Sequence, residues 1–266
     1  MKEIYFIKLF CIIDDSLKQL SIKDDIRSKI SNSEVVFVGI IAARFFSGNI
    51  RMAFSFLFFH KYLTLHISES RLNRRIRSID CWDQLLKILA KDDSHYVVDS
   101  FPISSCRLSR EQNSKLFQGK QFKGYNASHK TFFHGLKVHL IVSKIGAPFI
   151  FQISPGSEHD LTALKYMDLP FTKKIFLYAD KAYNDAKFEK DLKRDKIYLI
   201  PQRRDNSLKN YGRIILSRLK KYRKRIETAI SGIVQFMPRW IQAVSNEGFE
   251  TKIALFIVAY ATTFLN

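Results

Sequence analysis

Three carboxylic acids stand where a carboxylate does little for folding. Asp99 closes the apolar run "YVV", Asp180 closes "IFLYA", and Glu227 lies in "KYRKRIETAI", next to Ile226 and among Lys220, Lys221, Arg223, Lys224 and Arg225. An acid that ends an apolar strand is well placed for a site at the carboxyl edge of a sheet. If the two strands are parallel neighbours, Asp99 and Asp180 emerge at the same end, and a helix packed across that end adds Glu227 as a third. Three converging carboxylates repel one another, so a proton or divalent cations must neutralise them. Oxygen-only ligands suit a hard cation, Mg²⁺ or Mn²⁺. Two such ions about 4 Å apart would activate an attacking oxygen and stabilise the leaving oxygen of a phosphodiester. Each acid taken singly has a plainer reading. Asp at a strand end forms turns and caps, and a Glu on a basic helix pairs with a surface cation, here Arg223 one turn before it.

The elements that must position these acids follow from periodicity. From His95 onward "HYVVDS", "LKVHLIVS", "PFIFQIS", "KIFLYAD" and "IYLI" are five candidate strands. The short link holding Gly146 and Pro148 makes the second and third an antiparallel hairpin. Between the fourth and fifth, "NDAKFEKDLKRD" has a helical pattern with Asn184 or Asp185 as cap, which gives a β-α-β unit with parallel strands. Leu216, Leu219, Ile226, Ile230, Ile233 and Met237 recur at three- and four-residue steps, a stripe expected to lie on the sheet with Glu227 at its border. The result is an α/β fold with a mixed five-stranded sheet flanked by helices.

The region before the sheet is all helical. Ser31 and Glu34 have capping-box spacing at the head of an apolar helix. After Ser68, Leu72, Ile76, Ile79 and the Leu85/Leu86 pair fall at helical spacing, with Arg71, Arg74, Arg75 and Arg77 largely on the other faces. This basic amphipathic helix is either a recognition helix for DNA or a solvated face. The domain organisation expected is a helical region over 1–92 and a sheet domain that holds the three acids over 93–266.

Charge names the partner class. The 266 residues hold 44 Lys and Arg against 25 Asp and Glu, a net charge of +19, which attracts a polyanion whatever its sequence. Nucleic acid, double-stranded DNA included, is the first candidate, and an anionic membrane surface is the rival. A membrane span needs about 20 consecutive apolar residues, and neither "IYFIKLFCII" nor "IALFIVAYATTFL" is long enough. Cys11, Cys81 and Cys106 are odd in number and far apart, which fits a reducing cytosol better than a disulfide framework. Between Arg107 and Lys137, seven Lys and Arg, including Arg110 and Lys123, face one acid, with five aromatics interleaved. Such a connection either grips DNA backbone and stacks on an exposed base or is a packed hairpin with solvated lysines. The densest charge, 15 bases against 4 acids, runs from Lys187 to Arg225. It includes Arg203, Arg204, Arg223 and Arg225, with Arg203 and Arg204 assigned to phosphate contact. Three further residues are auxiliary candidates. His159 and Asp160 are possible metal or DNA contacts, or a helix cap and its polar neighbour, and Lys181 is a phosphate contact or a turn residue. His134 and His139 have no partner at metal-ligand spacing and are assigned to the sheet.

"VVDSFPI", "KGYNASHKTFFHGLKVHLIV", "ISPGSEHDLTAL", "YADKAYND", "IPQRRDNS" and "RKRIETAISGI" together resemble the bacterial insertion-sequence transposases of the DDE type, most closely the insertion sequence 982 family. The likeness runs from Tyr96 to the C-terminus, is fainter toward the start and is poor between Arg51 and Ser94. It implies a ribonuclease-H-like catalytic domain over 93–266, with Asp99, Asp180 and Glu227 on the three catalytic positions, and DNA-end binding by the helical region over 1–92. It also implies DNA cleavage at element ends by water, strand transfer by the freed 3′-hydroxyl, and a homodimer on DNA in the bacterial cytoplasm, at the nucleoid. The alternatives are a nuclease that cuts without joining and an inactive DNA-binding remnant or repressor of the same element.

Overall fold

The computed structural model describes residues 2–63, 65–90, 92–203, 207 and 210–265. The chain divides into two compact units, Met1–Ala90 with Gly232–Asn266, and Lys91–Ser231.

The first unit is helical. It contains α1 (Lys2–Gln19), α2 (Asn32–Phe45), α3 (Ile50–Phe59), α4 (Glu69–Ser78), α5 (Trp82–Leu89) and α9 (Asn246–Ala261). The capping box at the head of α2 is present, with Ser31 Oγ accepting from Glu34 N at 3.1 Å and Glu34 Oε2 accepting from Ser31 N at 2.6 Å. The helix is buried continuously from Val35 to Ala43. Gly39 lets α9 come close, because a Cβ there would stand 2.8 Å from Leu255 Cδ2.

The expected single helix after Ser68 is two helices, α4 and α5, broken at Ile79–Cys81. Ser68 makes no side-chain cap bond. The sequence boundary grouped residues 232–266 with the sheet, whereas they pack with the N-terminal helices. The reason lies in α9, which is apolar on every side: Phe249, the run Ile253–Ala259 and Ala261 are all buried, so it needs cover all round. α2, α4 and α5 supply it. Arg44 adds a polar tie, donating to Tyr5 Oη at 2.7 Å and to Thr262 Oγ1 at 2.6 Å. No single described helix is long and apolar enough to cross a membrane.

The second unit is a mixed sheet with helices. Its strands are β1 (His95–Cys106), β2 (Lys123–Asn126), β3 (Thr131–Ser143), β4 (Pro148–Pro155), β5 (Ile175–Ala179) and β6 (Ile197–Pro201). Its helices are α6 (Asp160–Tyr166), α7 (Ala186–Arg194) and α8 (Arg213–Phe236), the last as far as Ser231. The order is β2-β3-β1-β5-β6, with β4 also on β3. β3 pairs antiparallel with β1, β2 and β4, while β1, β5 and β6 run parallel. The expected hairpin is β3–β4 and the expected β-α-β unit is β5-α7-β6, capped by Asp185, which accepts from Lys187 N and Phe188 N at 3.0 Å each.

Two differences from the sequence reading concern the sheet. Six strands are present among the described residues, because "KGYN", only four residues without alternation, pairs with β3 as β2. β1 also runs on through Pro102 to Cys106, so Asp99 lies inside the strand. The register of β1 on β3 shifts between Ser104 and Cys106 opposite Gly135. Gly135 has φ +153°, and a Cβ there would meet Ile103 O at 2.2 Å, so only glycine allows the strands this approach.

Candidate active site

The two strand aspartates are brought together by register. His95, Tyr96 and Val97 of β1 face Phe176, Leu177 and Tyr178 of β5, and continuing that register two residues sets Asp99 level with Asp180. Asp180 follows the last residue of β5 and caps a 3₁₀ turn, Lys181–Tyr183, with its Oδ1 accepting from Ala182 N at 2.6 Å. Asp99 Oδ1 accepts from Ser100 N at 2.8 Å. Burial pushes the Asp99 carboxyl up to about 6; the charges of Asp180 and Asp160 push the same way, against the Ser100 amide and the Arg223 guanidinium.

Asp160 is thus part of this setting. As the first residue of α6 it has its carboxylate engaged with the strands. Ser100 Oγ donates to Asp160 Oδ1 at 2.7 Å, Lys137 Nζ lies 3.3 Å from the same oxygen, and His139 Nδ1 lies 3.9 Å from it. Lys137 also donates to Glu158 O at 2.7 Å, fixing the approach to α6. His139 stands opposite Ser100 across β1–β3 and shares a hydrogen bond with Ser154 Oγ at 2.8 Å. Burial drives its imidazole down to about 4, so it is neutral at pH 7.

Tyr183, at the end of the 3₁₀ turn, is 1% exposed, and its hydroxyl has no hydrogen-bond partner among the described residues. Burial first, then the charges of Asp160, Asp99 and Asp180, raise this phenol well above its ordinary value. The sequence reading had no place for Tyr183, Ser100 or Lys137. The available signals were Ser100's adjacency to Asp99 and the step of three from Asp180 to Tyr183. His159, at the cap position of α6, is exposed and makes no side-chain cap bond, and Lys181 is half-buried.

Glu227 is positioned by α8. Tyr222 anchors this helix on the sheet, its ring 4.7 Å from that of Tyr178 and 5.7 Å from that of His95. Leu219, Tyr222, Ile226 and Ala229 are buried, a narrower stripe than expected, with Leu216 exposed. Glu227 borders it, its side chain 59% exposed and 3.7 Å from Arg223 Nη2. Arg223 Nη1 donates to Gln202 Oε1 at 2.5 Å, just after β6, and its charge reaches Asp99. The expected triad is therefore assembled in part. Asp99 and Asp180 interact through their charges, whereas Glu227 pairs with Arg223, whose charge also reaches Asp99. Among the described residues no three acidic, His or Cys side chains form a ready ligand set for a metal ion. The donors present nonetheless suit a hard divalent cation. They are carboxylate oxygens with more negative charge than Arg223 and Lys137 offset, and their charges act on the buried Tyr183 hydroxyl, which lacks a hydrogen-bond partner among the described residues.

The basic residues assigned to DNA divide into exposed and engaged ones. Arg71 and Arg74 on α4, Arg110 and Arg225 are exposed, and Arg74 Nε donates to Ser70 O at 3.3 Å. Lys123 is exposed and paired with Glu111 at 3.0 Å. Arg75 is turned inward to Ile30 O, Asn32 Oδ1 and Asp24. Arg203 forms a two-pronged pair with Glu189 at 2.6 and 2.8 Å, donates to Asn184 Oδ1 at 3.0 Å and lies over the Tyr211 ring. With both partners of the Glu189 pair 13% exposed, Arg203 holds the fold and its guanidinium is not presented to phosphate. Arg204 lies outside the described residues. On the β2–β3 hairpin Tyr125 and Phe132 face each other across the strands, 51% and 58% exposed, with ring centroids 5.1 Å apart.

A family model described as "Transposase DDE domain" matches residues 89–237, more than half the chain. The chain belongs to the transposase DDE domain family. The matched DDE domain spans all six strands and holds Asp99, Asp160, Asp180 and Glu227. None of the curated proteins matches the sequence. Among solved structures, the cryo-EM structure of a piggyBac transposase synaptic complex with hairpin DNA is similar over 96% of this chain and 71% of that one, at 10% identity and a TM-score of 0.47.

Proposed function

We propose that this transposase is the enzyme of a bacterial insertion sequence of the insertion sequence 982 type, which cuts DNA at the ends of its element and joins the freed ends to a target. Water attacks the scissile phosphorus and the bond to the 3′ oxygen breaks. The resulting 3′-hydroxyl then attacks a target phosphodiester, so one phosphate ester replaces another. Asp99 and Asp180, with Glu227, are the residues that hold divalent cations, Mg²⁺ or Mn²⁺. When bound, the cations neutralise the carboxylates and supply Lewis-acid activation of the attacking and leaving oxygens.

The observation that carries this reading is the register that sets Asp99 level with Asp180 on neighbouring parallel strands, inside the segment that matches the DDE domain. The charge of Asp180 adds to the proton affinity of Asp99, and a cation relieves the repulsion. The exposed bases Arg71, Arg74, Arg110 and Arg225 suit phosphate contact, and the Tyr125–Phe132 pair suits stacking on an unpaired base. Two ends must be held together for the joining step, which favours a homodimer on DNA. A bacterial enzyme of this kind works in the cytoplasm, at the nucleoid.

The test uses DNA that carries the inverted repeats flanking the coding region. Wild type with Mg²⁺ is expected to release 3′-hydroxyl ends and to yield strand-transfer products. Asp99→Ala and Asp180→Ala are expected to lose about a thousandfold or more in rate with binding kept, since charge stabilisation by a metal site amounts to several kcal/mol. Cleavage left intact by Asp99→Ala removes the site. DNA binding without any cleavage by the wild type leaves a repressor or remnant.

A further inference from the structure

Asp160 and Tyr183 are not accounted for by the strand aspartates and Glu227. A tyrosine hydroxyl taken out of water without a partner is costly, and buried polar groups nearly always have one. Tyr183 Oη is such a group, in a side chain 1% exposed, and the charges that act on it are those of Asp160, Asp99 and Asp180. Asp160 is held by two cationic or hydroxyl donors from separate strands, Ser100 Oγ on β1 and Lys137 Nζ on β3. Ser100 in turn donates its backbone N–H to Asp99 Oδ1, so a continuous path of hydrogen bonds runs from Asp160 to Asp99. His139 presents a second buried, unpartnered atom, Nδ1, 3.9 Å from Asp160 Oδ1.

Resting on the cation-dependent reading above, we propose that Asp160 and Tyr183 are positioning residues of the cation site, with Asp160 fixing Asp99 through Ser100 and Tyr183 donating its hydroxyl hydrogen to the carboxylates when a divalent cation organises them. The acceptors of the Tyr183 hydroxyl would be carboxylate oxygens that a bound cation orients. Partners of this kind, one shell out from the metal, orient the ligands, and losing one typically costs about 10- to 100-fold in metal affinity.

Tyr183→Phe separates this role from a structural one, because it removes the hydroxyl and keeps the ring. The full chain is titrated with Mn²⁺, with free ion followed by electron paramagnetic resonance, and its thermal midpoint is measured in chelator. The proposal expects Tyr183→Phe and Asp160→Asn each to weaken Mn²⁺ about tenfold or more. It also expects the metal-free midpoint of Tyr183→Phe to be equal to or above that of wild type, since an unsatisfied buried group has been removed. Unchanged Mn²⁺ affinity in either variant overturns it, as does a metal-free midpoint of Tyr183→Phe below that of wild type, which would make the hydroxyl part of the fold. Asp99→Asn serves as the control. If wild type binds Mn²⁺ no better than Asp99→Asn, it is the cation reading that has failed, and the positioning role falls with it.

Discussion

Arg223 Nη2 lies 3.7 Å from Glu227 Oε1, one helical turn away on α8, and the same guanidinium donates to Gln202 and acts on Asp99. A single cation therefore serves two of the acids assigned to catalysis. The pair is exposed, so its own contribution to stability is small, about 0–1 kcal/mol. Glu227→Gln is expected to leave the thermal midpoint in chelator nearly unchanged while reducing DNA cleavage by about a hundredfold or more. Arg223→Gln removes the positive charge near Asp99. Carboxyl-carbon NMR is expected to show Asp99 titrating higher in that variant, and an unshifted titration would separate Arg223 from the site.

The pH dependence of the metal-free protein should hide two opposed terms. Between the ordinary aspartate value and about 6, native Asp99 keeps a proton that the unfolded chain has lost, so this term falls as pH rises. Between about 4 and the ordinary histidine value, native His139 lacks a proton that the unfolded chain holds, so this term grows as pH rises. Each amounts to about 3 kcal/mol, and they overlap between pH 4 and 6. With both residues present these two terms nearly cancel there in wild type in chelator. Asp99→Asn should expose the His139 slope, about 1.4 kcal/mol per pH unit rising with pH. His139→Gln should slope the other way. Denaturant unfolding at pH 4, 5 and 6 measures all three.

Arg203 was assigned to phosphate from its place in a basic loop, yet its charge is used internally. Removing one partner of this largely enclosed pair leaves the other uncompensated and loses hydrogen bonds to a charged group, each contributing about 1.5–3 kcal/mol. Arg203→Ala and Glu189→Ala are each expected to be destabilising on that scale, and the double variant should lose less than the two added together. The salt dependence of DNA binding should be the same in Arg203→Ala as in wild type. A flatter salt slope would return Arg203 to the DNA surface.

These residues mark how far the sequence could be read. Strand alternation, the Gly146–Pro148 link and the spacing between "FLYAD" and "IYLI" dictated the hairpin and the parallel pair, because these are local patterns of apolar burial. That the strands bearing Asp99 and preceding Asp180 are parallel neighbours was legible as an expectation, since each acid follows an apolar run, whereas the continuation of β1 past Asp99 to Cys106 was not. What was not legible depends on contacts between distant segments. "KGYN" becomes a strand only because β3 offers an edge. Asp160 had the signature of a cap, and only the packing of α6 beside β3 turns its carboxylate to Ser100 and Lys137. Arg203 and Arg225 look alike in sequence. Glu189 on α7 distinguishes them, and its reach across the turn to Arg203 is a matter of folded geometry.

The β2–β3 hairpin offers a way to separate stacking from charge on the DNA surface. Tyr125 and Phe132 are cross-strand partners whose ring contact supports the hairpin while about half of each residue stays in solvent. Lys123 and Lys130, both exposed, flank them. An aromatic face contributes about 1–3 kcal/mol per stacked base and does so without releasing counterions. A lysine or arginine on phosphate contributes through counterion release, so its loss lowers the slope of log K against log salt by about 1. Tyr125→Ala and Phe132→Ala are therefore expected to weaken binding to DNA with unpaired bases about tenfold or more at every salt concentration, with the slope unchanged and fully paired DNA bound as before. Arg110→Ala should weaken both kinds of DNA and lower the slope. Fluorescence anisotropy over 50–200 mM salt tests this, and an aromatic variant that binds unpaired DNA as tightly as wild type removes the hairpin from the DNA surface.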